Sequence, residues 1–184
     1  MHNDLATALA RSDLLFDRAQ IEQAIARMAA AIRADYAGQR PLFLTVMHGG
    51  MLFASLLALE ISEAVDLEFD YLHATRYRGA TSGGGLHWLH RPATPLAGRR
   101  VLLADDIVDE GHTLAEVRDW CRQQGAAEVR IAALAVKRHD RCVPGLAANY
   151  VGLEVPDRYV YGFGMDYHEQ GRNLPAIHAL RTEG

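Results

Sequence analysis

Lysine is nearly missing from this 184-residue chain: arginine supplies almost all of its 19 basic residues, against 23 acidic ones. The formal charge of -4 argues against a general nucleic-acid binder, which needs a basic excess. Cysteine is equally sparse. Cys121 and Cys142 have no metal-ligand spacing and read as reduced thiols, as expected of a cytoplasmic protein. No apolar run approaches the roughly 20 residues that span a bilayer. Met1-His2-Asn3-Asp4 lacks the basic start and hydrophobic core of a secretion signal.

What is present is an ordinary globular composition, 49% hydrophobic and 23% charged, enough for one domain with a substantial core. Asp17 and Gln20 form a capping-box pattern, after which Ile21, Ile25, Met28 and Ile32 recur at helical spacing. This helix is expected to end before Gly38 and Pro41. Leu42 to Met47 reads as a buried strand followed by a His48-Gly49-Gly50 turn, and Leu52 to Ile61 as a core helix. Leu67 to Ala74 alternates like a strand, and Trp88 resumes one. Between them, Thr75 to Leu86 includes three consecutive glycines, the residue type that loses most backbone freedom on ordering. The segment reads as a hairpin loop or, given Tyr77 and its flanking arginines, as a mobile lid. His87 and His90 lie beside glycine- and proline-bearing sequence and read as loop histidines, not as a helical metal pair.

The most informative run is Val101-Leu102-Leu103-Ala104-Asp105-Asp106-Ile107-Val108-Asp109-Glu110-Gly111-His112-Thr113-Leu114. Four apolar residues suggest a strand buried on both faces. Two adjacent carboxylates end it, and a short turn leads into a helix from Leu114 to Gln123, closed by Gly125. Amides of such a turn and the positive helix end suit a phosphate. Paired carboxylates can accept hydrogen bonds from neighbouring hydroxyls, so the construction suits a sugar phosphate. An aspartate that only caps the next helix is the bland alternative; a third carboxylate, Asp109, disfavours it. Val129 to Val136 is a further strand, with Lys137 at its carboxyl end. Alternating strands and helices imply right-handed crossovers and a mainly parallel sheet, with ligands bound beyond the strands' carboxyl ends. His48, Asp105, Asp106 and Lys137 all fall there.

At these residues the chain resembles the type I phosphoribosyltransferases, specifically the hypoxanthine/guanine kind. Val101 to Leu114 resembles that family's phosphoribosyl pyrophosphate signature. Val155-Pro156-Asp157-Arg158-Tyr159-Val160-Tyr161-Gly162-Phe163-Gly164-Met165-Asp166-Tyr167, continuing to Arg172-Asn173-Leu174-Pro175, resembles its purine-binding hood, with Lys137 in place of the base-recognising lysine. The match runs from about Leu42 to the end. It implies an α/β fold with a mainly parallel central sheet flanked by helices: one domain over 1–184, with a core over about 40–150, a hood over about 151–184 and a lid over about 75–88. N-terminal residues are candidate contributors to the hood.

The resemblance further implies transfer of a phosphoribosyl group to purine N9, releasing pyrophosphate, with Mg²⁺ as cofactor. Asp105 and Asp106 would face the ribose hydroxyls and the nearby metal-bound waters, and Asp166 would help hold a second Mg²⁺. Asp109, Glu110, Gly111, His112 and Thr113 would hold the 5′-phosphate, and Asp109 would also serve as the acid/base group near N7. His48, Gly49 and Arg172 would bind pyrophosphate. Lys137 would donate to O6, Tyr159 would stack on the base, and Val160, Met165 and Asp166 would read its edge. Tyr77 would close the lid. Three positions depart from the usual pattern: His48 and His112 stand where lysine is common, and Glu110 where threonine is usual. The Glu110 carboxylate is expected to point away from phosphate while its amide contributes. Small-molecule substrates, no nucleic acid, no membrane and a homodimer or homotetramer are the expected associations. Two other readings are a xanthine-preferring sister transferase and a regulator that binds phosphoribosyl pyrophosphate and nucleic acid.

Overall fold

The computed structural model describes residues 4–76 and 86–182. A short helix α1 (Leu5–Ala10) and strand β1 (Ser12–Phe16) precede α2 (Arg18–Tyr36). The predicted capping box opens α2: the Gln20 amide donates to Asp17 Oδ1 at 2.8 Å and the Asp17 amide to Gln20 Oε1 at 2.9 Å. Its buried stripe contains Ile21, Ile25, Met28 and Ile32. The chain continues through β2 (Leu42–Val46), α3 (Met51–Ile61), β3 (Glu68–Arg76), β4 (Leu86–His90), β5 (Arg100–Val108), α4 (His112–Gln123), β6 (Glu128–Lys137), β7 (Tyr150–Val155), β8 (Val160–Tyr161) and β9 (Ile177–Leu180).

Six strands form one sheet in the order β4-β3-β2-β5-β6-β7, parallel except for β4 at the edge. Consecutive residues serve opposite layers, which is why the strands read as unbroken apolar runs. Phe43 and Leu102 pack with Ile25, Phe53 and Leu57 of α2 and α3, whereas Leu44 and Leu103 pack with Leu114, Val117 and Cys121 of α4. Among the described residues no helix is long and apolar enough to cross a membrane.

The chain winds outward from β2 in both directions, so the point where strand order reverses lies between β2 and β5. Pairing of these two strands ends at Thr45↔Ala104, while β5 stays paired with β6 as far as Val108↔Val136. The acidic pair therefore does not end its strand, as the sequence suggested, but lies within β5, beyond the last residue pair it shares with β2. For the same reason the turn is shorter than expected, and α4 begins at His112 rather than at Leu114. Two further expectations change. His87 and His90 lie on β4, held by antiparallel pairing with β3 (His73↔His90), not in a loop. Of the proposed lid, Thr75, Arg76 and Leu86 belong to β3 and β4; Tyr77 and the three glycines lie outside the described residues.

A second sheet, β1-β9-β8, is antiparallel and joins the two ends of the chain, with Ser12 opposite Leu180 and Val160 opposite Ala179. Its anchor is polar and buried. The Ser12 hydroxyl lies 2.8 Å from the Tyr161 hydroxyl and donates to the Ala8 carbonyl at 2.8 Å. Arg158 donates to the Leu180 and Ala179 carbonyls and pairs with Asp13.

Candidate active site

A cavity of about 740 Å³ opens beyond the carboxyl ends of the central strands. Its floor is β5, which contributes Asp105 and Asp106. Asp106 is 8% exposed, and its Oδ1 accepts from the Ile107 amide at 2.7 Å. Burial, and then the charge of Asp106, push the Asp105 carboxyl well above the usual carboxylate range. Burial raises Asp106 as well, against the hydrogen bond from Ile107. Among the described residues neither carboxylate forms an ion pair.

The next turn places Asp109, Gly111 and Thr113 on the cavity wall. Gly111 caps α4 with φ +80°, and among the described residues no side chain caps the helix, so its first-turn amides are available to a ligand. Glu110 and His112 do not line the cavity. Their side chains face each other at 3.5 Å, and Glu110 also lies 3.6 Å from Arg141.

At the end of β6, the only lysine of the chain, Lys137, sets Nζ 2.5 Å from Asp109 Oδ2. His139 Nε2 approaches the other oxygen, Oδ1, at 2.7 Å. Burial favours a raised Asp109 carboxyl, but hydrogen bonds and charge from Lys137 and His139 outweigh it and hold the group below the usual carboxylate range. Asp109 is thus a carboxylate at neutral pH.

The opposite wall is the turn after β2. The Met47–His48 peptide is cis, and His48 and Gly49 both line the cavity. Gly49 has no room for a side chain: a Cβ there would lie 2.0 Å from Asp106 Oδ2. His48 and His73 of β3 meet edge to face at 4.4 Å. Burial, then the charges of His48 and Arg172, lower His73. The roof comes from the segment that follows β8 and from the approach to it, with Tyr159, Val160, Met165, Asp166 and Arg172. Arg172 is braced by the Gly164 carbonyl and the Asp166 carboxylate, each at 2.8 Å. Tyr159 is 43% exposed and meets Tyr167 edge to face.

A family model described as the phosphoribosyl transferase domain matches residues 12–168. The chain belongs to the phosphoribosyltransferase family. Curated relatives named hypoxanthine-guanine phosphoribosyltransferase include one from Streptococcus pneumoniae, 33% identical over the whole chain and 97% of the relative. Another, from Streptococcus thermophilus, is 34% identical over 92% of the chain and 93% of the relative. A hypoxanthine phosphoribosyltransferase structure from Trypanosoma cruzi superimposes with a TM-score of 0.85 at 28% identity, covering 94% of this chain and 97% of that one. One from Staphylococcus aureus reaches 0.86 over 98% and 97% of the two chains; at 24% identity it speaks for the fold alone.

Two features of this phosphoribosyltransferase bear on a metal. Among the described residues no three His, Cys, Asp or Glu side chains converge into a metal cage. Asp105, Asp106 and Asp166 nevertheless put oxygen donors around one cavity; Asp106 is buried and Asp105 half-buried, and among the described residues neither of these two has a paired cation. That donor set fits Mg²⁺, which takes one or two carboxylates and shares its remaining positions with water and substrate phosphates.

The cavity therefore collects every residue singled out from the sequence except Glu110, His112 and the undescribed Tyr77. It also holds His73 and Glu169, which the sequence reading passed over. His73 carried only the signal of a polar residue on an alternating strand. His139, bonded to Asp109 from outside the cavity lining, carried none.

Proposed function

We propose that this phosphoribosyltransferase is a purine-salvage enzyme, transferring the 5-phosphoribosyl group from phosphoribosyl pyrophosphate to N9 of hypoxanthine, guanine or both. The observation that carries the reading is Lys137 beside Asp109 on one cavity wall. An ammonium donates only, which suits a 6-oxo group and not the 6-amino group of adenine. A neighbouring carboxylate can take the proton the base must lose. The relatives' names agree with this substrate class.

In the same reading the α4 first-turn amides and the Thr113 hydroxyl hold the 5′-phosphate, and Asp105 and Asp106 accept from the 2′- and 3′-hydroxyls. Gly49 and Arg172 hold the pyrophosphate, the guanidinium as a planar two-point donor. Tyr159 stacks on the base, and Val160, Met165 and Asp166 border its edge. As pyrophosphate departs, positive charge grows on C1′, and the fixed carboxylates beneath the sugar stabilise it. Mg²⁺ would supply charge to the leaving pyrophosphate when bound, with Asp105 and Asp106 facing its waters and Asp166 helping to hold a second ion. Asp109 receives the purine proton once Lys137 has turned to the incoming oxygen.

The protein acts on small molecules in the cytoplasm, which its two unpaired thiols suit. Exposed Phe69, Tyr71 and Leu59 offer a homodimer or homotetramer apolar surface to bury. The test is a spectrophotometric assay of hypoxanthine, guanine, xanthine and adenine, each with phosphoribosyl pyrophosphate and Mg²⁺. Turnover of the first two, lost in chelator, is expected. Equal turnover of adenine, or donor binding without turnover of any base, would overturn the reading.

A further inference from the structure

His139 lies two residues past the end of β6, and its side chain is 3% exposed. The ring is held at both nitrogens. The backbone amide of Arg141 donates to Nδ1 at 3.1 Å, and Nε2 lies 2.7 Å from Asp109 Oδ1. A backbone N–H can only donate, so Nδ1 must present its lone pair and the imidazole proton must sit on Nε2. His139 therefore donates to Asp109 even as a neutral ring. The carboxylate is shared between two unlike partners: Lys137 on Oδ2, which also lines the cavity, and His139 on Oδ1, which does not.

We propose that His139 is a positioning residue for the transfer reaction: a buried, single-tautomer donor that tethers Asp109 through Oδ1 so that Oδ2 alone faces the base. The inference rests on Asp109 being the proton-accepting group of the reading above. When Lys137 leaves Oδ2 for the purine oxygen, the carboxylate loses one of its two restraints at the moment it is needed. The His139 bond remains and fixes the plane of the group. The purine N7–H proton then passes to Oδ2, the N9 lone pair forms the bond to C1′, and the C1′–O bond breaks with its electrons leaving on pyrophosphate. Around the ring stand Asp109 and Lys137, with Glu110 and Asp157 engaged by Arg141 at 3.6 and 2.8 Å. The Arg141 amide that sets the tautomer thus belongs to a residue anchored on two sides.

The test compares His139→Leu, His139→Gln and Asp109→Asn in steady-state kinetics on hypoxanthine. Leucine fills the space without a donor; glutamine returns an N–H near the Nε2 position. The Leu variant should lose roughly ten- to a hundredfold in kcat, the scale of one charge-assisted hydrogen bond, with KM for phosphoribosyl pyrophosphate little changed. The acid limb of its pH profile should move to higher pH, because one donor that favours the ionised carboxylate is gone. The Gln variant should recover most of the rate. A Leu variant with wild-type kcat and pH profile, or a loss that glutamine does not restore, overturns the inference. Full activity of Asp109→Asn would instead overturn the role of Asp109 itself. Should the Leu variant not fold, ¹⁵N NMR of wild-type imidazoles decides: the resonances assigned through His139→Gln must show the Nε2-protonated tautomer, and protonation on Nδ1 refutes the tether.

Discussion

Gly164→Ala is the sharpest perturbation available, because one methyl group is aimed at the contact between roof and floor. Gly164 has φ +105°, and a Cβ there would lie 2.1 Å from the Gly49 carbonyl oxygen. That is more than about 1 Å inside ordinary contact, and the obstacle is backbone, which cannot rotate away. The unfavourable φ adds a conformational cost of about 1–3 kcal/mol. Gly49 already lies against Asp106, so relief must displace the pyrophosphate turn, the roof or both. A shift near 1 Å in groups that orient the donor costs about a hundredfold in rate. The natural control is Gly145→Ala, where φ is +76° but no atom of the described residues lies within 4 Å of the added one. There only the backbone cost applies, about 1 kcal/mol, or roughly 2–4 °C in Tm for a chain of this size. Thermal unfolding and steady-state kinetics of both variants separate the two effects. The Gly164 variant should lose more stability and at least tenfold more kcat/KM for phosphoribosyl pyrophosphate. Equal losses in the two variants would refute the argument that the roof is registered against the donor turn through this contact.

Lys137→Met removes the donor assigned to the purine oxygen; KM for hypoxanthine should rise roughly ten- to a hundredfold, the worth of a charged hydrogen bond. Initial rates at saturating donor check this, and an unchanged KM would refute it. Asp105→Asn should raise Tm at pH 7.5 in chelator while lowering turnover. The raised native value of Asp105 favours folding below its unfolded value near 4, and that contribution is lost as pH rises through the native value. Glu128 behaves oppositely. Burial raises it, but Arg100 and Arg130 outweigh burial and hold it low, so its contribution is present above its unfolded value and lost as pH falls through the native one. Glu128→Gln should therefore flatten the decline of Tm below about pH 4, as a melting series from pH 7 to 3 would show. Tyr161→Phe should cost about 1 kcal/mol, one buried hydroxyl pairing with Ser12, measurable as a shift in urea midpoint.

The central layer was legible because its signals are local. A capping box, a stripe at helical spacing and the apolar runs of β2, β5 and β6 each declare themselves within a dozen residues. The end of β5 was not legible, since Asp105 to Val108 extend the strand alongside β6 after pairing with β2 has ended. The small sheet was hidden for a related reason. Strands β1, β9 and β8 have five, four and two residues, too few for periodicity, and β1 pairs with β9 across nearly the whole chain. At the site, residues carrying a charge at a strand end or beside a glycine turn could be picked out. His139 could not, because its part depends on a tautomer set by an amide two residues away.

The meeting of both chain ends in the β1-β9-β8 sheet gives the two halves of the cavity different birthdays during synthesis. A nascent chain that has emerged only as far as Val155 contains every strand of the six-stranded sheet, with the acidic floor and the turn around Gly111. Strand β1, made first, has no strand to pair with until Ile177–Leu180 appear. Grip on the donor sugar can thus precede the surface against which the nucleobase rests.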